Sequence, residues 1–328
     1  MVGAVNVLND LLAEHDHLIA DGAMGTQIFA AGLPAGDAPE RWNLDQPEEI
    51  TNVHRAYIAA GSDIVLTNTF GGTRLRLQLH DLHHQVGAVN RAAAAIAHQA
   101  AEEANRPVLV AGSMGPTGEL IEPLGSLTAD EAEDAFAEQA AGLAEGGADL
   151  LWLETFSALE EVEAGVRGAR RATELPVVVT MSYDTAGCTM MGITRPEAGA
   201  RLAELGVAAM GANCGANLAD TEAAVAGILD ACGTIPVVSK ANAGIPVWKG
   251  AELSFDGTPE VLAAHAQRVR QAGASIIGAC CGSTPEHIEL MARVLAGEVP
   301  VPDAPPPTPG TSSRKSDGGQ PARSRQRR

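Results

Sequence analysis

Aromatic side chains are scarce in this chain of 328 residues, because phenylalanine, tryptophan and tyrosine together account for only 3% of it. A hydrophobic core must therefore be built mainly from alanine, valine, leucine and isoleucine, and a hydrophobic content of 45% is enough for a substantial one. Long apolar runs are missing as well, since none approaches the roughly 18 apolar residues of a membrane-spanning helix. We therefore expect no membrane-embedded segment and no membrane partner.

Basic residues are also few. The 22 lysines and arginines stand against 41 aspartates and glutamates, which gives a formal net charge of −19. Proteins that bind nucleic acids or anionic membranes present clusters of positive charge, so this balance argues against both as partners of the folded body.

Cysteines number only five, an odd count without a secretory framework, so the sequence is not a disulfide scaffold. The N-terminus lacks a basic start, a continuous apolar segment and a cleavage site, and we therefore identify no signal peptide. Together these absences predict a soluble, cytoplasmic protein whose thiols are reduced.

The chain does contain a regular alternation of two patterns. Amphipathic stretches with helical spacing, such as residues 47–61 and 128–147, separate eight short apolar runs that are typical of buried parallel strands. A doubly wound sheet could also alternate in this way, but eight such units favour a closed (β/α)8 barrel, a TIM barrel. The eight runs are HLIADG, DIVLTNTF, PVLVAGSMG, DLLWLETF, PVVVTMSYD, VAAMGANCG, PVVSKANAG and SIIGACCG.

Two terminal segments differ from this pattern. Residues 1–17 are expected to form a helical extension that covers the bottom or edge of the barrel, which itself spans residues 18–298. Residues 299–328 are rich in proline, serine and arginine and have almost no apolar side chains. They cannot bury enough surface to offset the entropy lost on ordering, so we predict a disordered tail.

Active sites of such barrels lie at the C-terminal ends of the strands. Three of the five cysteines fall at two of these ends, namely Cys214 after strand six and the adjacent Cys280 and Cys281 after strand eight. Three thiolates with one open position suit zinc, and the open position would leave room for a substrate thiol. The alternative is that the three are small buried hydrophobes, which is the interpretation that we adopt for Cys188 and Cys232.

Several motifs at these strand ends resemble the homocysteine S-methyltransferase family, and the likeness runs from about residue 18 to residue 296. The most specific pair is GANCG with GACCG. The resemblance implies a (β/α)8 barrel, a zinc ion held by Cys214, Cys280 and Cys281, and homocysteine sulfur as the fourth ligand, with methionine as the product. The motifs are DGAMGTQ, LTNTFGG, GSMGPTG, LETF, GANCG, KANAG and GACCGSTPEHI.

The amino acid part of homocysteine needs its own partners. We predict that Glu154 binds its ammonium group, with Asp21 as a second carboxylate. An ion pair of Glu154 with Lys240, and a turn-capping role for Asp21, are the alternatives.

The carboxylate of homocysteine is expected at backbone N–H groups around Gly22 and Ala23, together with Thr67 or Asn68. Asn242 matches a position at which members similar to methionine synthase carry an asparagine near zinc. It could fill the open coordination position before the substrate arrives, or it could brace a loop.

The methyl donor that we expect is betaine, whose quaternary ammonium group favours aromatic faces such as those of Trp42 and Phe70. Gly71 and Thr155 stand where animal betaine enzymes would have tyrosines, which leaves S-methylmethionine open as the donor. We expect no cobalamin module within these 328 residues, although a separate corrinoid protein could deliver the methyl group.

Two other classes of protein are more remote, a zinc hydrolase and a non-catalytic zinc-binding barrel. The sequence also leaves a homo-oligomer open.

Overall fold

A computed structural model describes residues 7–184, 187–244, 246–249 and 252–304, with the backbone alone described at 246–249 and 252–254. Eight parallel strands form one sheet in the order β1, β10, β7, β6, β5, β4, β3, β2. An isolated parallel bridge between Ala20 and Ile64 joins the two outer strands of this order. The predicted TIM barrel is therefore confirmed. Its strands are β1 Leu18–Ile19, β2 Ile64–Leu66, β3 Leu109–Met114, β4 Leu150–Phe156, β5 Val177–Met181, β6 Ala209–Cys214, β7 Val237–Ala241 and β10 Ile276–Ala279.

The seam between β1 and β2 is closed with the help of two carboxylates. Only two backbone hydrogen bonds cross it, from Asp63 N to Ile19 O at 2.7 Å and from Asp21 N to Ile64 O at 3.0 Å. The N–H group of Ile19 also donates to the Asp63 carboxylate at 2.9 Å, and that of Leu66 donates to the Asp21 carboxylate at 2.7 Å. Because β1 is so short, side chains accept the N–H groups that a longer strand would satisfy with carbonyl oxygens.

Twelve α-helices are described, and the longer ones surround the barrel. Those predicted over residues 47–61 and 128–147 are confirmed, and their starts follow the expected chemistry. Pro47 opens the first, and Thr128 forms a capping box with Glu131 at the start of the second. The helices are α1 Val7–Glu14, α2 Met24–Ala30, α3 Trp42–Asp45, α4 Pro47–Ala59, α5 Arg74–Leu77, α6 Val86–Glu102, α7 Ala129–Glu145, α8 Leu159–Ala172, α9 Arg195–Leu205, α10 Leu218–Leu229, α11 Pro259–Ala272 and α12 Pro285–Leu295.

The alternation is less strict than the sequence predicts. Short helices occupy the connections after β1 and β2, and an antiparallel hairpin of β8 Pro246–Lys249 and β9 Glu252–Phe255 follows β7. All three insertions follow the C-terminal ends of barrel strands, where loops of this fold build the active site.

Helix α1 lies against the inside of the barrel. Its Leu8 and Leu11 belong to one apolar cluster with inward-facing strand residues such as Leu18, Trp152 and Ile276. That the extension covers the bottom or edge of the barrel stays a prediction. The predicted disordered tail lies outside the described residues from residue 305 onward. Among the described helices, none combines the length and the apolar character needed to cross a membrane.

Replacing Asp63 with alanine tests the seam. The change removes the acceptor of the Ile19 N–H group and the 2.9 Å ion pair with Arg106, so we expect the free energy of unfolding to fall by about 2 kcal/mol. Urea denaturation of the variant measures this loss. Asp37, which is exposed, supplies the control Asp37→Ala. Equal stability of the two variants would contradict the structural role of Asp63.

Candidate active site

Three thiols meet at the C-terminal mouth of the barrel. Cys214 ends β6, and Cys280 and Cys281 follow β10 directly. Their sulfur atoms all lie within 4.8 Å of one another, and those of Cys214 and Cys280 are 3.1 Å apart. A tetrahedral zinc site with Zn–S bonds of about 2.3 Å holds its sulfurs about 3.8 Å apart, which is within this range. Of the residues that the structure describes, these are the only group of three or more histidines, cysteines and acids close enough to share a metal ion.

The backbone at this point adopts an unusual conformation. Cys214 and Thr155 both have positive φ, at 58° and 67°, which is uncommon for residues other than glycine and is an outlier for a β-branched one. Asn213 couples the two positions, because its side chain accepts a hydrogen bond from Thr155 N at 2.8 Å and donates one to Thr155 Oγ1 at 2.7 Å. The ends of β4 and β6 are thereby tied together beside the thiols.

Asn242 lies between the segments that carry the cysteines. Its amide nitrogen donates to Gly215 O at 3.0 Å, one residue after Cys214, and the next residue, Ala243, donates its N–H to Cys281 O at 2.9 Å. The side-chain oxygen of Asn242 is buried and accepts no hydrogen bond from the described residues. An amide oxygen without a partner, on a segment that is hydrogen-bonded to both cysteine-bearing segments, is chemically suited to ligate a metal ion.

The thiols influence one another's ionisation. Hydrogen bonds from Cys214 and Cys280 lower the pKa of Cys281 to about 3, whereas hydrogen bonds with Cys280 and Cys281, together with burial, hold the pKa of Cys214 well above its usual value. The cluster therefore stabilises one thiolate through the two neighbouring thiols. A bound cation is needed before all three can ionise.

A buried ion pair crosses the barrel mouth next to the cysteines. Lys240 Nζ lies 2.7 Å from Asp21 Oδ1, and both side chains are buried, with exposed fractions of 3% and 1%. Burial raises the pKa of Asp21, although Lys240 and the hydrogen bond from the Leu66 N–H act in the opposite direction. Burial alone would lower the pKa of Lys240, but the charges of Asp21 and Glu154 outweigh this effect and raise it. The 2.7 Å contact makes the ion pair the state that satisfies both groups. Lys240 therefore pairs with Asp21, and the alternative pairing with Glu154 is not formed.

Glu154 is a buried carboxylate without a cationic partner within 4 Å among the described side chains. Its Oε1 accepts a hydrogen bond from Ser113 Oγ at 2.5 Å. Burial raises the pKa of Glu154 to about 7, with Cys280 adding to the effect and Lys240 opposing it. A carboxylate in this setting is stabilised by a positive ligand group, which would replace the water that burial has removed.

A cavity of about 420 Å³ opens onto these groups. Trp42 and Asn242 are not in its wall, and Trp42 packs instead against the apolar cluster of Ile28, Leu33 and Ile50. Asp21 lies behind the wall, in its ion pair. The residues that were proposed from the sequence and do line the cavity are Gly22, Ala23, Thr67, Asn68, Phe70, Glu154, Cys214, Cys280 and Cys281.

Several of these residues already make hydrogen bonds that shape the wall. The N–H of Ala23 donates to Ser283 Oγ at 2.9 Å, and Tyr57 Oη donates to Ala23 O at 2.9 Å. A Cβ atom on Gly22 would lie 2.5 Å from Ser283 Oγ, so only glycine fits there. The role of this segment in binding the homocysteine carboxylate stays a prediction.

Thr67 and Asn68 also hold neighbouring segments. Thr67 Oγ1 accepts a hydrogen bond from Ser113 N at 3.0 Å, and Asn68 Nδ2 donates to Pro39 O at 2.8 Å. Sequence reasoning assigned no role to Ser283, although it belongs to the motif GACCGSTPEHI, or to Tyr57 on the buried face of a helix. Their hydrogen bonds to Ala23 join residues that are far apart in the sequence, and only the structure shows such contacts.

The fold and the site define the class of the protein: a TIM barrel with a cluster of three thiols at the ends of its sixth and eighth barrel strands, close enough together to hold a metal ion. The family model described as homocysteine S-methyltransferase matches residues 18–295, and the chain belongs to this family.

Individual relatives agree with this assignment. The chain is 35% identical to the methionine synthases of Mycobacterium leprae (strain TN) over 297 residues and of Mycobacterium tuberculosis (strain ATCC 25618 / H37Rv) over 296 residues. Each match covers 85% of this chain, which spans only 24% of the length of those relatives. Among solved structures, the oxidised form of the Escherichia coli homocysteine methyltransferase MmuM is 26% identical, with a TM-score of 0.75 over 90% of this chain and 100% of that one. Its metallated form has a TM-score of 0.74 and covers 88% and 99%.

Substitution of Lys240 tests the ion pair. Lys240→Met leaves the Asp21 carboxylate buried without its partner, so we expect the free energy of unfolding to fall by about 3–5 kcal/mol. The double variant with Asp21→Asn should lose less than the sum of the single losses, because it buries no unpaired charge. Denaturant titration of all three variants measures the coupling, and strictly additive losses would contradict it.

Proposed function

We propose that the protein is a zinc-dependent homocysteine S-methyltransferase that forms methionine. The observation that carries this proposal is the three-thiol cluster of Cys214, Cys280 and Cys281 at a cavity whose wall also contains the buried carboxylate of Glu154. Such a cluster can hold a thiophilic metal, and the carboxylate can bind the ammonium group of an amino acid. Family membership and the similarity to the metallated form of MmuM support the same conclusion.

The three cysteines would hold the zinc ion, with Asn242 as a further ligand in the absence of substrate. Bound zinc supplies a Lewis acid that keeps a substrate thiol ionised at neutral pH. Glu154 binds the homocysteine ammonium group, and the cavity orients the donor and excludes water. The sulfur lone pair forms the new S–CH3 bond as the bond between the methyl carbon and the onium centre of the donor breaks. The donor then leaves with that electron pair as a neutral amine or thioether.

A small onium compound is the methyl donor in this proposal, and betaine is the candidate predicted from the sequence. Phe29 and Phe70 line the cavity and are 48% and 40% exposed, so they offer aromatic surface to a methylated cation. Trp42, the other expected aromatic contact, lies in the apolar cluster beside helix α4.

An assay of methionine formation tests the reaction. Zinc-loaded protein receives homocysteine with betaine, S-methyl-L-methionine or a methylated corrinoid protein in parallel. Turnover with either onium compound supports the proposal, and turnover with the corrinoid protein alone would replace the proposed donor class. Bound zinc without turnover would favour a non-catalytic barrel, and release of products from ester or amide substrates would favour a hydrolase.

The metal ligands are tested with Cys280→Ser. Because serine replaces a soft thiolate by a hydroxyl group, we expect the purified protein to retain less than about a tenth of its zinc and to lose its methyltransferase activity. Zinc content by plasma mass spectrometry measures the first effect. Cys232, which is buried in the core, provides the control Cys232→Ser. A fully active variant with a normal zinc content would rule out the ligand assignment.

The role of Glu154 is tested with Glu154→Gln, which preserves shape and removes the charge. We expect the KM for homocysteine to rise by about tenfold or more, because the ammonium group loses a charge-assisted hydrogen bond. Steady-state kinetics at saturating donor measures this change. Exposed Glu160 on helix α8 gives the matched control Glu160→Gln. An unchanged KM in the Glu154 variant removes the residue from the proposed site.

A further inference from the structure

The hairpin that follows β7 is attached to the segment that carries two of the cysteines. Its strands β8 and β9 lie between Gly244 and Gly257 in the chain, and the N–H of Gly257 donates to Ala243 O at 2.9 Å. The N–H of Ala243 in turn donates to Cys281 O at 2.9 Å. The two ends of the hairpin are therefore joined to each other, and one of them is joined to a thiol of the cluster.

His287, in the first turn of helix α12, holds the other end of the hairpin. The side chain is buried, and its Nδ1 accepts the Thr284 N–H at 3.1 Å. Because a backbone N–H can only donate, Nδ1 carries no proton and the ring proton lies on Nε2. Nε2 then donates to Gly257 O at 3.0 Å. Both ring nitrogens have partners, and these partners select one tautomer.

These hydrogen bonds close a ring that begins and ends at the cysteine segment. The ring runs through Cys281, Ala243, Gly257, His287 and Thr284, and the backbone leads back from Thr284 to Cys281. The bonds on either side of Ala243 join backbone groups. His287 is therefore the member whose link a substitution can remove without altering the backbone.

Two glycines allow the parts of this ring to pack closely. Gly282, directly after Cys281, has a φ of 80°, and a Cβ atom there would collide with the ring of Phe255 at the end of β9. A Cβ atom on Gly257 would collide with the backbone of Ala243. The hairpin thus lies directly against the residue next to Cys281, so a displacement of the hairpin is transmitted to that cysteine.

Of the three thiols, Cys281 is the one that the barrel strands hold least. Cys214 ends β6, and Cys280 donates its N–H to Ala241 O at 2.7 Å. Cys281 lies one residue beyond the latter contact and is exposed, whereas Cys214 and Cys280 are half-buried. The carbonyl group of Cys281 is held by Ala243, so the position of this cysteine depends on the ring.

We propose that His287 is a positioning residue for the thiol cluster, which holds the hairpin after β7 in place and thereby fixes Cys281. Without this link the hairpin and Cys281 move together, while Cys214 and Cys280 keep their contacts to the barrel. Metal sites depend on neighbouring groups that orient their ligands, so freedom of one ligand weakens metal binding. The inference rests on the proposed function, in which the three thiols are metal ligands, and it extends that function to the hairpin.

Two substitutions separate the two hydrogen bonds of His287. Asparagine can still accept the Thr284 N–H, because its amide oxygen lies near the position of Nδ1, but its side chain is too short to reach Gly257 O. Glutamine is a usual partner of threonine in a capping box, and its longer side chain also offers an N–H group to Gly257 O. His287→Asn should therefore open the ring, and His287→Gln should preserve it.

Residue-resolved hydrogen exchange of the metal-free protein measures the ring directly. We expect His287→Asn to accelerate exchange of the Ala243 and Gly257 amides about fivefold, which corresponds to the loss of about one hydrogen bond. The Cys280 amide, bonded to a barrel strand, should change by less than about twofold. His287→Gln should match the wild type.

Cobalt(II) titration, followed by the absorption of the thiolate–metal bonds, measures the effect on the cluster. We expect the Kd for cobalt to rise about fivefold in His287→Asn and to stay at the wild-type value in His287→Gln. This comparison separates positioning from general stability, because both variants keep the helix cap and thermal denaturation shows whether each is folded.

Gly257→Ala tests the ring at a second point, since the added Cβ displaces Ala243 and leaves His287 unchanged. It should reproduce both effects of His287→Asn. Matched controls are His83→Asn and Gly87→Ala, because His83 is exposed and a Cβ atom on Gly87 would meet nothing within 4 Å.

The two measurements distinguish this inference from the proposed function. If the wild type binds neither cobalt nor zinc, but Ala243 and Gly257 exchange faster in His287→Asn, the metal-dependent function fails and the positioning of Cys281 stands. An unchanged Kd for cobalt in His287→Asn, equal acceleration of the Cys280 amide, or a His287→Gln variant as labile as His287→Asn would each overturn the inference. So would wild-type behaviour of Gly257→Ala.

Discussion

The buried ion pair between Asp21 and Lys240 is the contact on which the mouth of the barrel depends. Asp21 accepts the Leu66 N–H with one carboxylate oxygen and Lys240 with the other, and its backbone carbonyl accepts the N–H of Ala279. One residue therefore connects β1 with β2, β7 and β10. Because Ala279 immediately precedes Cys280, the pair that closes the barrel also positions the segment that carries two of the three thiols.

Lys240 also supplies positive charge to the acidic groups at the barrel mouth and lowers the pKa of each of them. Its charge acts on Asp21, Glu154 and Cys280, each of which would be costly to bury as an anion. Since Asp21 already pairs with Lys240, Glu154 keeps unused capacity for a cation. Asp21, paired with Lys240, therefore stabilises the fold, while the carboxylate of Glu154 has no cationic partner and is available to a ligand.

The part of the candidate site at the ends of the barrel strands could be predicted from the sequence, whereas the part formed by the loops after β1, β2 and β7 could not. Strand ends of a parallel barrel converge by topology, so Cys214, Cys280 and Glu154 follow from the order of eight apolar runs. The hairpin after β7, the partner of Lys240 and the contact of Glu40 with Gly71 depend on how loops pack against each other. Hydrophobic periodicity contains no information about such packing. Trp42 was expected at the cavity because a quaternary ammonium donor favours aromatic faces, and its packing in the apolar cluster with Ile28 and Ile50 is visible only in the structure.

Aromatic residues are scarce in the chain as a whole, and they are also few in the wall of the cavity at the barrel mouth. Recognition of an onium group by aromatic rings needs several of them around one point, and among the side chains that the structure describes, Phe29 and Phe70 are the phenylalanine, tyrosine or tryptophan residues in the wall of this cavity. A buried carboxylate supplies attraction with fewer atoms, at the cost of desolvation that a matching ammonium group must offset. The thiols stand at the ends of β6 and β10, whereas Glu40 belongs to the connection after β1, so the framework that positions the thiols is separate from the loop that carries this carboxylate.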